Sequence, residues 1–193
     1  MKWLLSSATT DHAPVPPAPR RRLLCQGLLA GGLVALAHAG TSPEVPIGGL
    51  LRDTVLDGLN GPSRRLAQFR GRPLLINVWA SWCGPCMEEM ASLERLAWTE
   101  GRLPFAMIGI STDDYRDRAL AVLKRTNATI THFIDHDLVL EDMLGARHIP
   151  LTVLADAQGR VRDKIYGAQE WDQPESLERI TRALQERRPV AQR

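Results

Sequence analysis

Cys83 and Cys86, within Trp82-Cys83-Gly84-Pro85-Cys86, are the residues of this chain best suited to covalent chemistry. With two residues between them, the pair can open and close as a disulfide. They follow the apolar run Leu74-Leu75-Ile76-Asn77-Val78-Trp79, which reads as a buried strand, and they precede a helical pattern. Cys83 therefore falls near a helix N-terminus, where unpaired backbone N–H groups and the helix dipole favour an anion. A thiolate is stabilised there, and the thiolate is the nucleophile. Cys86, one turn further in, is close enough to attack a mixed disulfide formed at Cys83. Gly84 and Pro85 suit the first helical turn. The alternatives are half of a zinc site or two buried thiols. Zinc would want two further Cys or His at matching spacing. The only other cysteine, Cys25, lies in a leader expected to be removed.

The elements that must hold this pair are legible in outline. Leu50 to Leu56 reads as a short strand, with turn signals at Asp57-Gly58 and Asn60-Gly61-Pro62, and Ser63 to Phe69 as a strand-and-turn segment closing at Gly71. Leu74 to Ala80 is a strand buried on both faces. Met87, Met90, Ala91, Leu93, Leu96 and Ala97 recur at helical spacing between Pro85 and about Glu100, with Gly101 as the stop. Phe105 to Ile110 is a second buried strand. Thr112-Asp113-Asp114 offers caps for a helix that includes Ala119 to Arg125. Thr129 to Ile134 is extended, and a short helix from Leu138 to Leu144 stops at Gly145. Leu151 to Ala155 and Val161 to Tyr166 form a hairpin about Asp156-Ala157-Gln158-Gly159. An amphipathic helix runs from Pro174 to about Arg187. This order predicts a three-layer α/β domain, with a mixed central sheet, helices on both faces and an N-terminal extension.

The 193 residues suffice for one domain plus a leader. A 44% hydrophobic, 24% charged composition is that of a globular protein, and a net charge of +2 gives no case for nucleic acid. Residues 1–39 carry Arg20-Arg21-Arg22, an apolar stretch from Leu23 to Ala37, and Ala37-His38-Ala39, a secretory pattern. The paired arginines before Leu23-Leu24 resemble a twin-arginine signal, with Sec export or an uncleaved anchor as alternatives. The apolar stretch is shorter than the roughly 20 residues of a bilayer span. Residues 40–49 read as a linker, 50–188 as the domain and 189–193 as a tail. The export pattern places the domain outside the cytoplasm. There, a disulfide closing so short a loop makes a poor staple and a good reagent.

Asn77-Val78-Trp79-Ala80-Ser81-Trp82-Cys83-Gly84-Pro85-Cys86-Met87-Glu88-Glu89-Met90, then Ile149-Pro150-Leu151-Thr152-Val153, Gly167 and Trp171-Asp172, resemble the thioredoxin fold and its exported TlpA/ResA-like family. The resemblance runs from Gly49 to Leu184. It implies Cys83 as attacking thiol, Cys86 as resolving thiol and Pro150 as a cis proline facing the dithiol. It also implies that the backbone of Ile149 pairs with an extended substrate, and that Trp82, Gly84 and Pro85 line the binding groove. Cytoplasmic thioredoxins carry a buried Asp where this chain has Asn77. The TlpA/ResA-like branch has Asn there and a Glu at position 89, so Glu89 becomes the expected proton acceptor for Cys86. The competing expectation is that Glu88 and Glu89 both face solvent as partners of Arg95. The chain departs from the pattern at Ala91, where a kinking proline is frequent, and at Leu151.

The implied function is that of a periplasmic thiol–disulfide oxidoreductase. It would reduce protein disulfides, among them possible apocytochrome c clients, and would be re-reduced by a membrane thiol donor. Gly84-Pro85 is the pair of reducing thioredoxins. The expected cofactor is none beyond the Cys83–Cys86 disulfide, with no metal, and the expected state is a monomer. Trp79 is expected in the core. His132, His136 and His148 have no ligand-like spacing and read as surface or satisfied histidines. A disulfide-forming oxidase and a metal- or redox-sensing module remain as alternatives.

Overall fold

Leu74–Trp79, buried at every position, forms the central strand β3 of a seven-stranded sheet. The computed structural model describes residues 44–99 and 103–185. Its strands are β1 (Val55–Gly58), β2 (Arg64–Arg65), β3, β4 (Ala106–Ser111), β5 (Thr131–Ile134), β6 (Leu151–Ala155) and β7 (Val161–Tyr166). The helices are α1 (Gly84–Ala97), α2 (Arg116–Arg125), α3 (Val139–Leu144) and α4 (Pro174–Gln185), with a 3-10 turn at Leu66–Phe69. The sheet order is β2-β1-β5-β4-β3-β6-β7. β3, β4 and β5 run parallel, while β6 is antiparallel to β3 and continues into the β6–β7 hairpin. The expected mixed sheet is present.

Strand alternation sorts β3 between two layers. Leu74, Ile76 and Val78 pack with Leu140, Met143 and Leu144 of α3 and with Val45 and Leu51 of the N-terminal segment. On the other face, Leu75 meets Leu93 and Leu96 of α1 and Ile180 of α4, and Trp79 meets α1 and α2 residues. The buried positions of α1 are Cys86, Glu89, Met90, Ser92, Leu93 and Leu96, one helical stripe that includes two polar residues.

Several boundaries differ from the sequence reading. The first strand is Val55–Gly58 rather than Leu50–Leu56. Residues 48–51 instead run along β7, where Leu51 donates to the Gly159 carbonyl at 2.9 Å and Val161 to Gly49 at 2.9 Å. Helix α1 ends at Ala97. Helix α2 starts at Arg116 after Tyr115, which supplies no side-chain cap. Asp113 is not its cap, because its carboxylate is engaged elsewhere. Leu138 precedes α3 with φ 54°, and Gly145 ends that helix with φ 77°, the left-handed conformation that glycine adopts without penalty. The leader with Cys25 and the tail 189–193 lie outside the described residues, as do residues 40–43 of the linker. Among the described residues no helix is long and apolar enough to cross a membrane.

Candidate active site

Cys83 is the N-cap of α1, and its sulfur accepts the backbone N–H of Cys86 at 3.2 Å. Gly84 and Pro85 form the first turn and are exposed. The two sulfurs are joined as a disulfide with a Cα–Cα separation of 5.3 Å. Access is one-sided: Cys83 keeps 5% of its surface exposed and Cys86 keeps 0%. Only the outer residue offers an edge to an incoming group. Trp82 beside it is 70% exposed. Ile149 is half-buried and packs against the cluster that contains both cysteines. The Ile149–Pro150 peptide bond is cis, and the Pro150 carbonyl accepts the N–H of Gly167 at 2.9 Å.

Glu89 lies three residues beyond Cys86, on the same helix face, and is 1% exposed. The expectation that it faces solvent beside Arg95 is therefore wrong. Arg95 pairs instead with Asp172 at 2.6 Å and Glu170 at 3.1 Å, and only Glu88 is exposed. Asn77 Nδ2 donates to Glu89 Oε1 and, at 3.2 Å, to Thr152 Oγ1. The Gln169 N–H donates to Glu89 Oε2 at 3.0 Å. Burial pushes the Glu89 carboxyl up from 4.5 to about 7, against the lowering effect of the hydrogen bonds from Gln169 and Asn77. The nearby Trp171 indole N–H also favours the carboxylate, although it closes no hydrogen bond. The site thus sets a buried acid, titrating near neutrality, behind a disulfide with one reachable edge. Among the described residues no group of three or more Cys, His, Asp or Glu is placed to hold a metal ion.

A model of the Redoxin family matches residues 46–180. The chain belongs to the Redoxin family. It is 33% identical over 152 residues to the thiol:disulfide interchange protein DsbE of Vibrio cholerae, covering 75% of this chain and 80% of that one. It is 27% identical over 123 residues to the thiol-disulfide oxidoreductase ResA of Geobacillus thermodenitrificans, covering 64% and 71%. A secreted disulfide oxidoreductase of Mycobacterium tuberculosis superposes with a TM-score of 0.57 at 22% identity, over 67% of this chain and 93% of that one. StoA of Bacillus subtilis gives 0.58 at 14% identity, over 69% and 97%. The family match and the ResA and DsbE relatives make this Redoxin-family protein a thiol-disulfide oxidoreductase, and the two structural likenesses show its thioredoxin fold.

Three supports of this Redoxin-family site escaped the sequence reading. Asp113, buried after β4, accepts the Ser81 N–H at 2.9 Å, the Ser81 hydroxyl at 2.5 Å and the Ser111 hydroxyl at 2.8 Å. It ties the segment leading to Cys83 to the end of β4. Ser92 accepts the Trp171 N–H at 3.0 Å, so Glu89, Ser92 and Arg95, at successive turns of α1, all grip the 169–172 loop. Loop contacts of this kind leave no periodic trace in a sequence. His132 is buried, and its Nδ1 accepts the Trp79 indole N–H at 3.1 Å with the rings edge-on. Trp79 is in the core, as expected. Burial holds the His132 imidazole down at about 4, so it is neutral at ordinary pH.

Proposed function

We propose that this protein acts outside the cytoplasm as a reductant of disulfides in protein clients, cycling between the Cys83/Cys86 dithiol and the disulfide. The observation that carries the reading is the one-sided pair: Cys83 reachable at a helix N-terminus, Cys86 enclosed beside Glu89. In the reduced protein the Cys83 thiolate attacks one sulfur of a client disulfide. The other client sulfur leaves as a thiolate, and a mixed disulfide remains. The Cys86 proton passes to the Glu89 carboxylate, directly or through water. Cys86 then attacks the Cys83 sulfur and releases the second client thiol. Two electrons have moved to the client and the Cys83–Cys86 bond has formed.

Trp82, Gly84 and Pro85 provide the exposed rim, and Ile149 with Pro150 provides the backbone edge that receives an extended client segment. A membrane thiol donor returns the electrons, and the leader exports the chain. Clients of the apocytochrome c type fit the resemblance to the ResA/DsbE group. No added cofactor is required.

Insulin-disulfide reduction tests the reading. Cys83→Ser abolishes turnover, and Cys86→Ser accumulates a covalent client adduct. A Cys83→Ser protein with full activity refutes it. A reduction potential near thioredoxin's value of about −270 mV supports the reductant, and one near −120 mV assigns the oxidase instead.

A further inference from the structure

Register places Thr152, Asn77, Gly109 and His132 side by side across four adjacent strands, β6-β3-β4-β5. They form a row under α1, with glycine at one position. A Cβ at Gly109 would fall 2.0 Å from His132 Nδ1 and 2.4 Å from its Cε1, so the imidazole lies over the bare glycine backbone. Asn77, His132 and Gly109 line a small cavity, with about 10 Å³ open to the centre of a water-sized sphere. The rest of its wall is apolar: Leu75, Leu93, Met107, Ile108 and Ile130.

Two buried polar atoms on this row lack a partner, Asn77 Oδ1 and His132 Nε2. Both residues are only 3% exposed. Their chemistry is complementary. Trp79 donates to His132 Nδ1, so the neutral ring carries its proton on Nε2 and offers a donor. Asn77 spends both Nδ2 bonds on Glu89 and Thr152, which leaves Oδ1 as an acceptor. A space of this size accommodates one water, and buried polar groups are rarely left unsatisfied.

We propose that one water molecule binds in this cavity, accepting from His132 Nε2–H and donating to Asn77 Oδ1, and that His132 is thereby a positioning residue for Glu89. The chain Trp79–His132–water–Asn77–Glu89 polarises the Asn77 amide and strengthens its bond to the carboxylate. It also fixes which way that amide faces. Glu89 is the one ionisable side chain in this chain of bonds that changes charge near neutral pH. Of the other charged groups on α1, Glu88 is exposed, Glu94 accepts from Thr129, and Arg95 pairs with Glu170 and Asp172 of the 169–172 loop in an exposed cluster beyond Ser92. The inference rests on the proposed role of Glu89, but its test does not use client chemistry.

A high-resolution crystal structure of the wild-type protein is expected to show a density peak within hydrogen-bond distance of both atoms. A dry cavity, or a His132 ring turned so that Nε2 meets Trp79, overturns the water site. The Glu89 carboxyl is then titrated by carbon NMR in wild type, His132→Phe and Leu93→Met. The first variant deletes the donor, and the second extends a wall residue into the cavity without touching either polar group. Both are expected to raise the Glu89 midpoint by about half a pH unit. A change in stability with an unmoved midpoint in Leu93→Met overturns the positioning role even where the Phe variant does not fold. Insulin reduction that survives Cys83→Ser would sink the proposed function and leave this result standing.

Discussion

The backbone N–H of Gln169 donates to Glu89 Oε2 across 80 residues of sequence, at 3.0 Å. Together with the Asn77 bond it holds a carboxyl group inside the protein, three residues beyond Cys86 on the same helix face. Burial there favours the neutral acid, and the two donors favour the anion. The balance leaves the group near neutrality, where a small change in surroundings switches its charge.

The pH dependence follows from that balance. The folded-state value, about 7, lies above the ordinary 4.5, so the folded protein holds this proton more tightly than the unfolded chain. The stability contributed by the protonated form is complete below about 4.5 and is lost as pH rises through about 7, on the order of 3 kcal/mol in all. Buried His132, held down at about 4 against its ordinary 6.5, contributes a slope of opposite sign over nearly the same range. The test is therefore the difference between proteins: wild type loses stability relative to Glu89→Gln in denaturant titrations as pH rises from about 4.5 to about 7. Glu89→Gln also removes the inflection near pH 7 from the rate of client release. A difference between the two proteins that stays constant across that range would show that Glu89 does not titrate there.

Gly109→Ala destabilises by about 2–4 kcal/mol, because the new Cβ meets an imidazole held in place by Trp79. Near-UV circular dichroism of the tryptophans should change with it. A silent substitution would mean that the ring can retreat.

Asp113→Ala leaves the Ser81 N–H without its acceptor and costs about 2–3 kcal/mol in chemical denaturation. Because Ser81 leads directly to Cys83, insulin reduction should slow as well. Unchanged turnover would show that the helix start keeps its position without this anchor.

Ser92→Ala and Arg95→Ala separate buried from exposed grip on the 169–172 loop. Ser92 is fully buried, and its loss strands the Trp171 N–H, at a cost of about 1–3 kcal/mol. Arg95 is half-exposed in its pairs, and its loss costs less than that of Ser92 and fades with added salt. Denaturation at low and high salt orders the two. A larger effect at Arg95 would reverse this assignment.

Local chemistry wrote much of this protein into its sequence. The apolar run Leu74–Trp79, the helical stripe of α1, the hairpin signal at Asp156–Gly159 and the spacing of Cys83 and Cys86 each depend on neighbours in the chain, so their pattern was legible. Segment ends were less so. Leu50 and Leu51 read as strand, yet they are held by Arg160 and Gly159 at the turn before β7, and Asp113 read as a helix cap, yet its carboxylate is drawn to Ser81 and Ser111. In both cases a distant partner outcompeted the local preference. The burial of Glu89, its contact with Gln169 and the meeting of Asn77, Gly109 and His132 were set by strand register and by the docking of one loop on α1. Those depend on which strands become neighbours, a property of the whole chain that no short stretch encodes.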